Sequence, residues 1–315
     1  MASWRNCLNV IAAACCLCSA PLPAYETDQY TNRGQHVADS TDAMNREVNR
    51  TITEIAASWS KGHDEMAFVN AVFHRIGGHH WVDKLERWAM KSPEVDKLDT
   101  PRYDSVYSGF PPWAMRVTGL FGIGKSIRLN HQLIGSDKIG HFLSQGRKFY
   151  RRYVRMGSEI KAAKQSIFTE KAIFGKLTTG SYSNADLVAN YEGHRFYRSL
   201  FEDDVIPGKP AILRWQDDAW VVQREFDWAD HVNAYWDEVL LPNHFDCLAK
   251  RHVRKRIIGF CEAFWIEPDL YRITDESTLS ARYPHIGLVD TRDMRVDVLC
   301  TSEDVFLSEY ARVRR

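Results

Sequence analysis

Apolar residues recur at helical spacing along most of the chain, which predicts a mainly α protein. The first long amphipathic helix is predicted over residues 36–59, where apolar side chains occupy every third or fourth position. The same periodicity predicts further helices over 64–75, 80–90, 137–156, 158–174, 185–201, 227–240 and 246–260. Alternating apolar and polar residues over 127–133 predict a short β-hairpin that turns at Asn130 and His131.

The chain shows no linker-like composition between its helical segments. We therefore expect a single multi-helix domain over 25–315, with a small β-hairpin element and an irregular C-terminal tail. The core helices lie within about 36–260, and the tail spans 261–315. Pro268 and Pro284 interrupt this tail, and its apolar run over 294–299 predicts minor strand.

The first 24 residues are typical of a secretory signal peptide. Arg5 precedes an apolar stretch over 8–17, and small residues with proline come just before Tyr25. We expect a periplasmic or secreted protein. The residues before Cys15 loosely resemble a bacterial lipobox, which leaves a lipid-anchored protein as the alternative. No later stretch approaches the roughly 20 apolar residues of a membrane helix, so no transmembrane span is expected.

Charge and cysteine content exclude several classes. Lys+Arg 41 balance Asp+Glu 41, and this formal net charge of +0 argues against a general nucleic-acid-binding protein. Cys247, Cys261 and Cys300 remain after the predicted signal peptide. This odd number suggests one disulfide and one thiol, with the pairing open. Without a Cys-x-x-Cys motif in this part, a zinc ribbon or a thioredoxin-like site is excluded.

Residues 119–126 fit the phosphate-loop pattern Gly-x4-Gly-Lys-Ser. In a nucleotide-binding protein this loop follows a strand and opens a helix, so that backbone amides and the lysine surround the phosphates. Here the residues after Lys125 alternate as a strand does. The pattern therefore predicts a glycine-rich turn that enters the hairpin.

A helix is predicted to begin after Ser136, which is a favourable N-cap residue. Asp137 and His141 then lie four residues apart on one helix face. The segment Asp-Lys-x-x-His-Phe over 137–142 resembles segments of VanZ-like proteins and of related bacterial cell-envelope proteins of unassigned activity. This six-residue resemblance implies envelope residence and a role for Asp137, Lys138 and His141. The alternative is a capped helix whose histidine is hydrogen-bonded in the core.

Two glutamates fall on the apolar faces of consecutive predicted helices, Glu170 on one and Glu192 on the next. A carboxylate in such a position needs a partner, and Arg195 is three residues from Glu192. We expect these glutamates to converge with Asp137 and His141 in a buried polar cluster. These four residues are the candidate catalytic residues.

Two kinds of function fit this cluster. In the first, an exported envelope protein binds lipid, glycan or a protein partner, and the cluster serves the structure. In the alternative, an envelope-directed hydrolase uses Glu170 or Glu192 as acid or base on glycan, or with a metal. Asp137, His141 and Glu192 are the candidate metal ligands, and the sequence assigns no cofactor. Catalysis requires the cluster to open into a cleft, whereas a binding protein that uses the cluster only for structure allows it to be closed to solvent.

Overall fold

The computed structural model describes residues 26–78, 82–109, 123–169 and 181–302. Over these residues helices predominate, and the strands form small two-stranded pairs. The prediction of a mainly α protein with a small β element is confirmed. Of the described helices, none is long and apolar enough to cross a membrane.

Three helices open the described chain: α1 (Thr41–Ala57), α2 (Glu65–Ile76) and α3 (Lys84–Lys91). The first begins later than the pattern predicts, because the residues before it bond to a strand. The Ser40 amide donates to the carbonyl of Arg128, and Asp39 forms a bridge to the same residue. The second is capped by Asp64, whose side chain accepts from the Ala67 amide.

The predicted hairpin is confirmed. Strand β1 (Glu26–Thr27) pairs in parallel with β2 (Ile123–Gly124), and β3 (Ser126–Leu129) pairs antiparallel with β4 (Gln132–Gly135). Asn130 and His131 turn the hairpin with φ values of 46° and 62°, the left-handed conformation that a two-residue hairpin turn requires. A strand thus follows the lysine of the phosphate-loop pattern, whose first four residues lie outside the described chain.

The segment after this hairpin is helical from Asp137 to Met156 in three consecutive parts. They are α4 (Asp137–Gly140), a π-segment (His141–Gln145) and α5 (Gly146–Met156). A π-turn inside an α-helix changes the direction of its side chains and is frequent at functional sites. The helix begins after Ser136 as predicted, but Ser136 adopts helical angles and its side chain makes no capping hydrogen bond.

Two more helices complete this layer, α6 (Glu159–Thr169) and α7 (Asn184–Ser199). Gly157, with φ of 61°, separates α5 from α6. The hydroxyl of Ser183 accepts from the Asp186 amide and so caps the start of α7. Helix α7 packs on the π-segment and on α5.

The predicted helix over 227–240 is wrong. Two short 3-10 turns, Trp228–Asp230 and Ala234–Trp236, occupy this segment. The side chains of Asp227 and Asn233 each accept a hydrogen bond from a backbone amide two residues ahead. Each of these bonds caps the start of one short turn. Such local bonds compete with a continuous helix, although the spacing of the aromatic residues suits one.

Two further strand pairs lie beside these turns. Strand β5 (Ser181–Tyr182) pairs with β8 (His244–Phe245), and β6 (Leu213–Gln216) pairs with β7 (Ala219–Val222), all antiparallel. Neither pair is predicted from the sequence. Asp217 and Asp218 turn the second pair with positive φ, which is uncommon for aspartate.

The C-terminal part contains α8 (Cys247–Ile258), α9 (Cys261–Ile266), α10 (Glu276–Arg282) and α11 (Val296–Thr301). The minor strand predicted over 294–299 is wrong, because the buried Val296, Leu299 and Cys300 follow helical spacing. A disulfide joins Cys261 to Cys300. The sequence alone does not decide this pairing among its three candidate cysteines.

Among the described residues, two large hydrophobic cores support these elements, and a small third cluster of Phe149, Ala162 and Ala163 lies between α5 and α6. The larger lies among α1, α2, the π-segment and α7, and includes the fully buried Trp228 and Trp236. The smaller lies beneath α8, α9 and α11, and it includes Tyr30 and Val239. The chain around residues 237–239 passes between the two cores, next to the polar cluster described below.

Candidate functional site

A buried lysine lies at the centre of an acidic cluster. The Nζ atom of Lys138 is 2.6 Å from Asp137 Oδ2, 2.7 Å from Asp186 Oδ1 and 2.7 Å from Glu238 Oε1. The side chain of Lys138 is 1% exposed and that of Glu238 is 2% exposed, so these two form the floor of the cluster. A buried ammonium is tolerated only with such compensation.

The upper part of the cluster reaches solvent. Asp137, His141 and Asp186 each keep about one fifth of the side chain exposed, at 20%, 21% and 20%. The Nε2 atom of His141 is 3.2 Å from Asp186 Oδ2. One ligand atom from each of these three residues lies within 4.8 Å of the other two.

Helical spacing places these side chains. Asp137 begins α4 and His141 follows one turn later, as the sequence predicts. On the facing helix, Asp186 and Asn190 are also four residues apart, and Asn190 Oδ1 lies 3.1 Å from His141 Nδ1. Two hydroxyls fix the carboxylates: Thr27 donates to Asp137 Oδ1 at 3.2 Å, and Ser183 donates to Glu238 Oε1 at 3.0 Å.

The carboxylates of the cluster differ in their affinity for protons. Burial acts to raise the pKa of Asp186, but the charges of His141 and Lys138 lower it below its ordinary value. Burial raises the pKa of Glu238 to about 7 against the opposing charge of Lys138, and the charges of Asp137 and Asp186 add to this rise. The second oxygen of Glu238, Oε2, is buried without a hydrogen-bond partner among the described residues. The floor therefore contains a carboxyl group that exchanges a proton near neutral pH.

Two more acids approach the cluster from α3. Burial raises the pKa of Asp83 to about 6, although the Ser144 hydroxyl donates to both of its oxygens at 2.8 and 2.7 Å. Burial and the charges of Asp137 and Asp83 raise the pKa of Glu86 well above its ordinary value. A Cβ added to Gly140 would lie 2.9 Å from Glu86 Oε2, so glycine allows α3 to pack closely on α4.

Glu192 belongs to a different group. Its carboxylate is fully buried and receives hydrogen bonds or ion pairs from Arg195, Arg282, His231 and Tyr283 at 2.7 to 3.2 Å. Burial would raise its pKa, but the hydrogen bond from His231 and the charges of both arginines lower the pKa to about 2. This carboxylate is ionised and closed to solvent, and Arg195 neutralises it as predicted.

The structure thus brings together only part of the predicted set. Asp137 and His141 lie side by side, Glu192 is held by the second group, and Glu170 lies outside the described residues. Asp186, in the first turn of α7, binds both Lys138 and His141. Its spacing of four from Asn190 places both side chains on one face of the predicted helix, and this is the local signal that the sequence offers for it.

Comparison of the chain with protein-family models, curated proteins and solved structures gives no match. The function of the chain is therefore inferred from the geometry of these residues.

Proposed function

We propose that this chain is an exported protein that binds a divalent metal ion through Asp137, His141 and Asp186. The observation that carries the proposal is the convergence of one imidazole and two carboxylates within 4.8 Å of one another. Imidazole and carboxylate groups together suit Zn²⁺ and Mn²⁺, and three protein ligands leave coordination positions for water or substrate.

Lys138 supports this assignment as a positioning residue. It binds one oxygen of each aspartate, Asp137 Oδ2 and Asp186 Oδ1. Asp186 Oδ2 then faces His141 Nε2, and Asp137 Oδ1 keeps a lone pair beside the one that accepts from Thr27. Asn190 Oδ1 lies 3.1 Å from His141 Nδ1, where it accepts a hydrogen bond from that nitrogen, and the other ring nitrogen, Nε2, lies toward Asp186. Metal-binding histidines commonly hold their second nitrogen in this way.

The charge of the cluster also favours a cation. Three carboxylates, Asp137, Asp186 and Glu238, surround the single ammonium of Lys138. Even with Glu238 protonated, two negative charges face one positive charge. The three proposed ligands are the partly exposed members, so an ion from solvent reaches them without opening the floor.

Isothermal titration of the metal-free mature protein with ZnCl₂ and MnCl₂ tests the proposal. We expect one site per chain, and we expect His141→Ala and Asp186→Asn each to weaken binding at least tenfold. The matched controls are His285→Ala and Asp269→Asn, which change exposed residues elsewhere. Thermal melting of each variant checks that it is folded. Absence of binding by the parent, or equal binding by folded variants and parent, would contradict the proposal and leave a structural ion-pair network.

The location outside the cytoplasm is part of the proposal and is supported by the predicted signal peptide. Mature protein is expected to begin near Tyr25, in the periplasm or medium, or to carry lipid on Cys15 or Cys16. Mass spectrometry of fractionated cells tests this. Full-length chain in the cytosol with Met1 intact would contradict it.

Metal-assisted hydrolysis of envelope material is the second candidate function. Asp83 favours it, since a partly protonated acid whose carboxyl group interacts with the charge of His141 suits general acid–base catalysis. Bis(p-nitrophenyl) phosphate and p-nitrophenyl acetate serve as probes with the Zn²⁺-loaded protein. Turnover that Asp83→Asn abolishes while Zn²⁺ affinity is retained would support this function, and no turnover of either probe would leave metal binding alone.

A further inference from the structure

The helical hairpin of α5 and α6 has one side that combines exposed cations with exposed apolar residues. Arg151 and Arg155 are exposed on α5, and Lys161 and Lys164 are exposed on α6. Ile160 is 48% exposed and Phe168 is 70% exposed on the same helix. We call these six residues the basic–apolar face, and we propose that this face docks on an anionic phospholipid bilayer.

Helix geometry places the members of this face together. Ile160, Lys164 and Phe168 are spaced by four residues and form one row along α6, while its opposite side buries Ala162, Ala163 and Ser166. The row of α5 lies alongside this helix, because Arg155 Nη2 donates to Gln165 Oε1 at 3.0 Å.

Among the described residues, Glu159 and Glu202 form ion pairs with Arg198, and no cation of the basic–apolar face takes part in an ion pair. Glu159, the acidic residue in the first turn of α6, instead receives hydrogen bonds from Tyr191 and Arg198 on α7. The positive charge of this face is therefore not neutralised by α6 itself. The chain as a whole has a formal net charge of +0, so attraction to an anionic surface has to arise from such a local patch.

The apolar residues select a bilayer among possible anionic partners. Lysine and arginine beside a large exposed apolar side chain are typical of helices that lie in a membrane interface. There the cations meet lipid phosphates while apolar side chains enter the boundary of the acyl chains. A soluble polyanion or an acidic glycan satisfies the arginines but offers no acyl chains to Ile160 and Phe168. This inference is independent of the metal site.

Co-sedimentation of the mature protein with vesicles tests it. We expect binding to vesicles containing phosphatidylglycerol and at least tenfold weaker binding to pure phosphatidylcholine. The double variant Arg151→Glu/Arg155→Glu and the single variant Phe168→Ser should each weaken binding at least fivefold. The matched controls are Arg254→Glu/Lys255→Glu on the exposed side of α8 and Val221→Ser on β7, and both should bind like the parent.

All substitutions are at exposed positions, and melting temperatures verify that each variant is folded. Three outcomes would overturn the proposal. The first is that the parent does not bind anionic vesicles. The second is that Arg254→Glu/Lys255→Glu weakens binding as much as Arg151→Glu/Arg155→Glu, which would indicate attraction by overall charge and not by this face. The third is full binding by folded Phe168→Ser, which would indicate a purely electrostatic contact of the kind a glycan also makes.

Discussion

Gly146 of α5 and Gly193 of α7 meet backbone to backbone where the two helices cross. A Cβ added to Gly146 would lie 2.5 Å from Gly193 Cα, and a Cβ added to Gly193 would overlap the carbonyl group of Phe142. This close approach brings Asp186 and Asn190 of one helix against His141 of the other. The metal site that we propose therefore depends on two residues without side chains.

Gly193→Ala is expected to separate the helices, because no flexible side chain is available to move aside. Overpacking of this kind typically costs about 1 to 3 kcal/mol, and more where backbone has to shift. We expect a loss near 3 kcal/mol by urea unfolding and a weaker metal affinity. Gly34→Ala is the control, since a Cβ there meets nothing within 4 Å. Equal stability of the two variants would show that the crossing tolerates a methyl group.

Glu192→Ala is expected to destabilise the fold strongly. It removes the carboxylate and leaves Arg195 without its partner beside the buried His231. Breaking a buried ion pair from one side costs about 3 to 5 kcal/mol. Glu262→Ala, at an exposed position of α9, should change the free energy of unfolding by less than about 0.5 kcal/mol. A Glu192→Ala effect as small as that would contradict the ionic role.

The same carboxylate predicts how stability depends on pH. The pKa of Glu192 is about 2 in the folded protein against an ordinary value of 4.5. The unfolded chain therefore binds the proton first as pH falls, and the stabilisation present above pH 5 is lost toward pH 2. The parent should be more stable than Glu192→Gln at pH 6, and this difference should narrow by about 3 kcal/mol by pH 2. Urea unfolding of both proteins across this range measures it, and a constant difference would be contrary to this prediction.

The helical half of the site is predictable from sequence because it depends on local spacing. Asp137 and His141 lie on one face wherever a helix runs through them, and the hairpin before them is set by its alternating residues. The role of Asp186 is not local. Its capping position in α7 is visible in the sequence, but its partner Lys138 is brought to it only by the packing of two helices.

The segment that supplies Glu238 shows a different limit. Its aromatic residues have helical spacing, but the side chains of Asp227 and Asn233 bind the backbone and produce two short turns. These turns place Glu238 under Lys138. Periodicity measures which residues face the core, and it does not show when a side chain competes for a backbone amide.

The disulfide between Cys261 and Cys300 predicts a stability difference between oxidised and reduced protein. It joins α9 and α11 across 39 residues of sequence, within the smaller core. In the chain-entropy model, a loop of this length restricts the unfolded chain by about 4 kcal/mol. We therefore expect the free energy of unfolding of Cys261→Ala/Cys300→Ala, measured with urea under oxidising conditions, to be lower than that of the parent by up to about 4 kcal/mol. Under strong reductant the stability of the parent should approach that of the double variant, because both then lack the crosslink.

Cys247→Ala is the control for this comparison, since Cys247 is not part of the disulfide. A double variant as stable as the oxidised parent would mean that the crosslink contributes nothing to the C-terminal part.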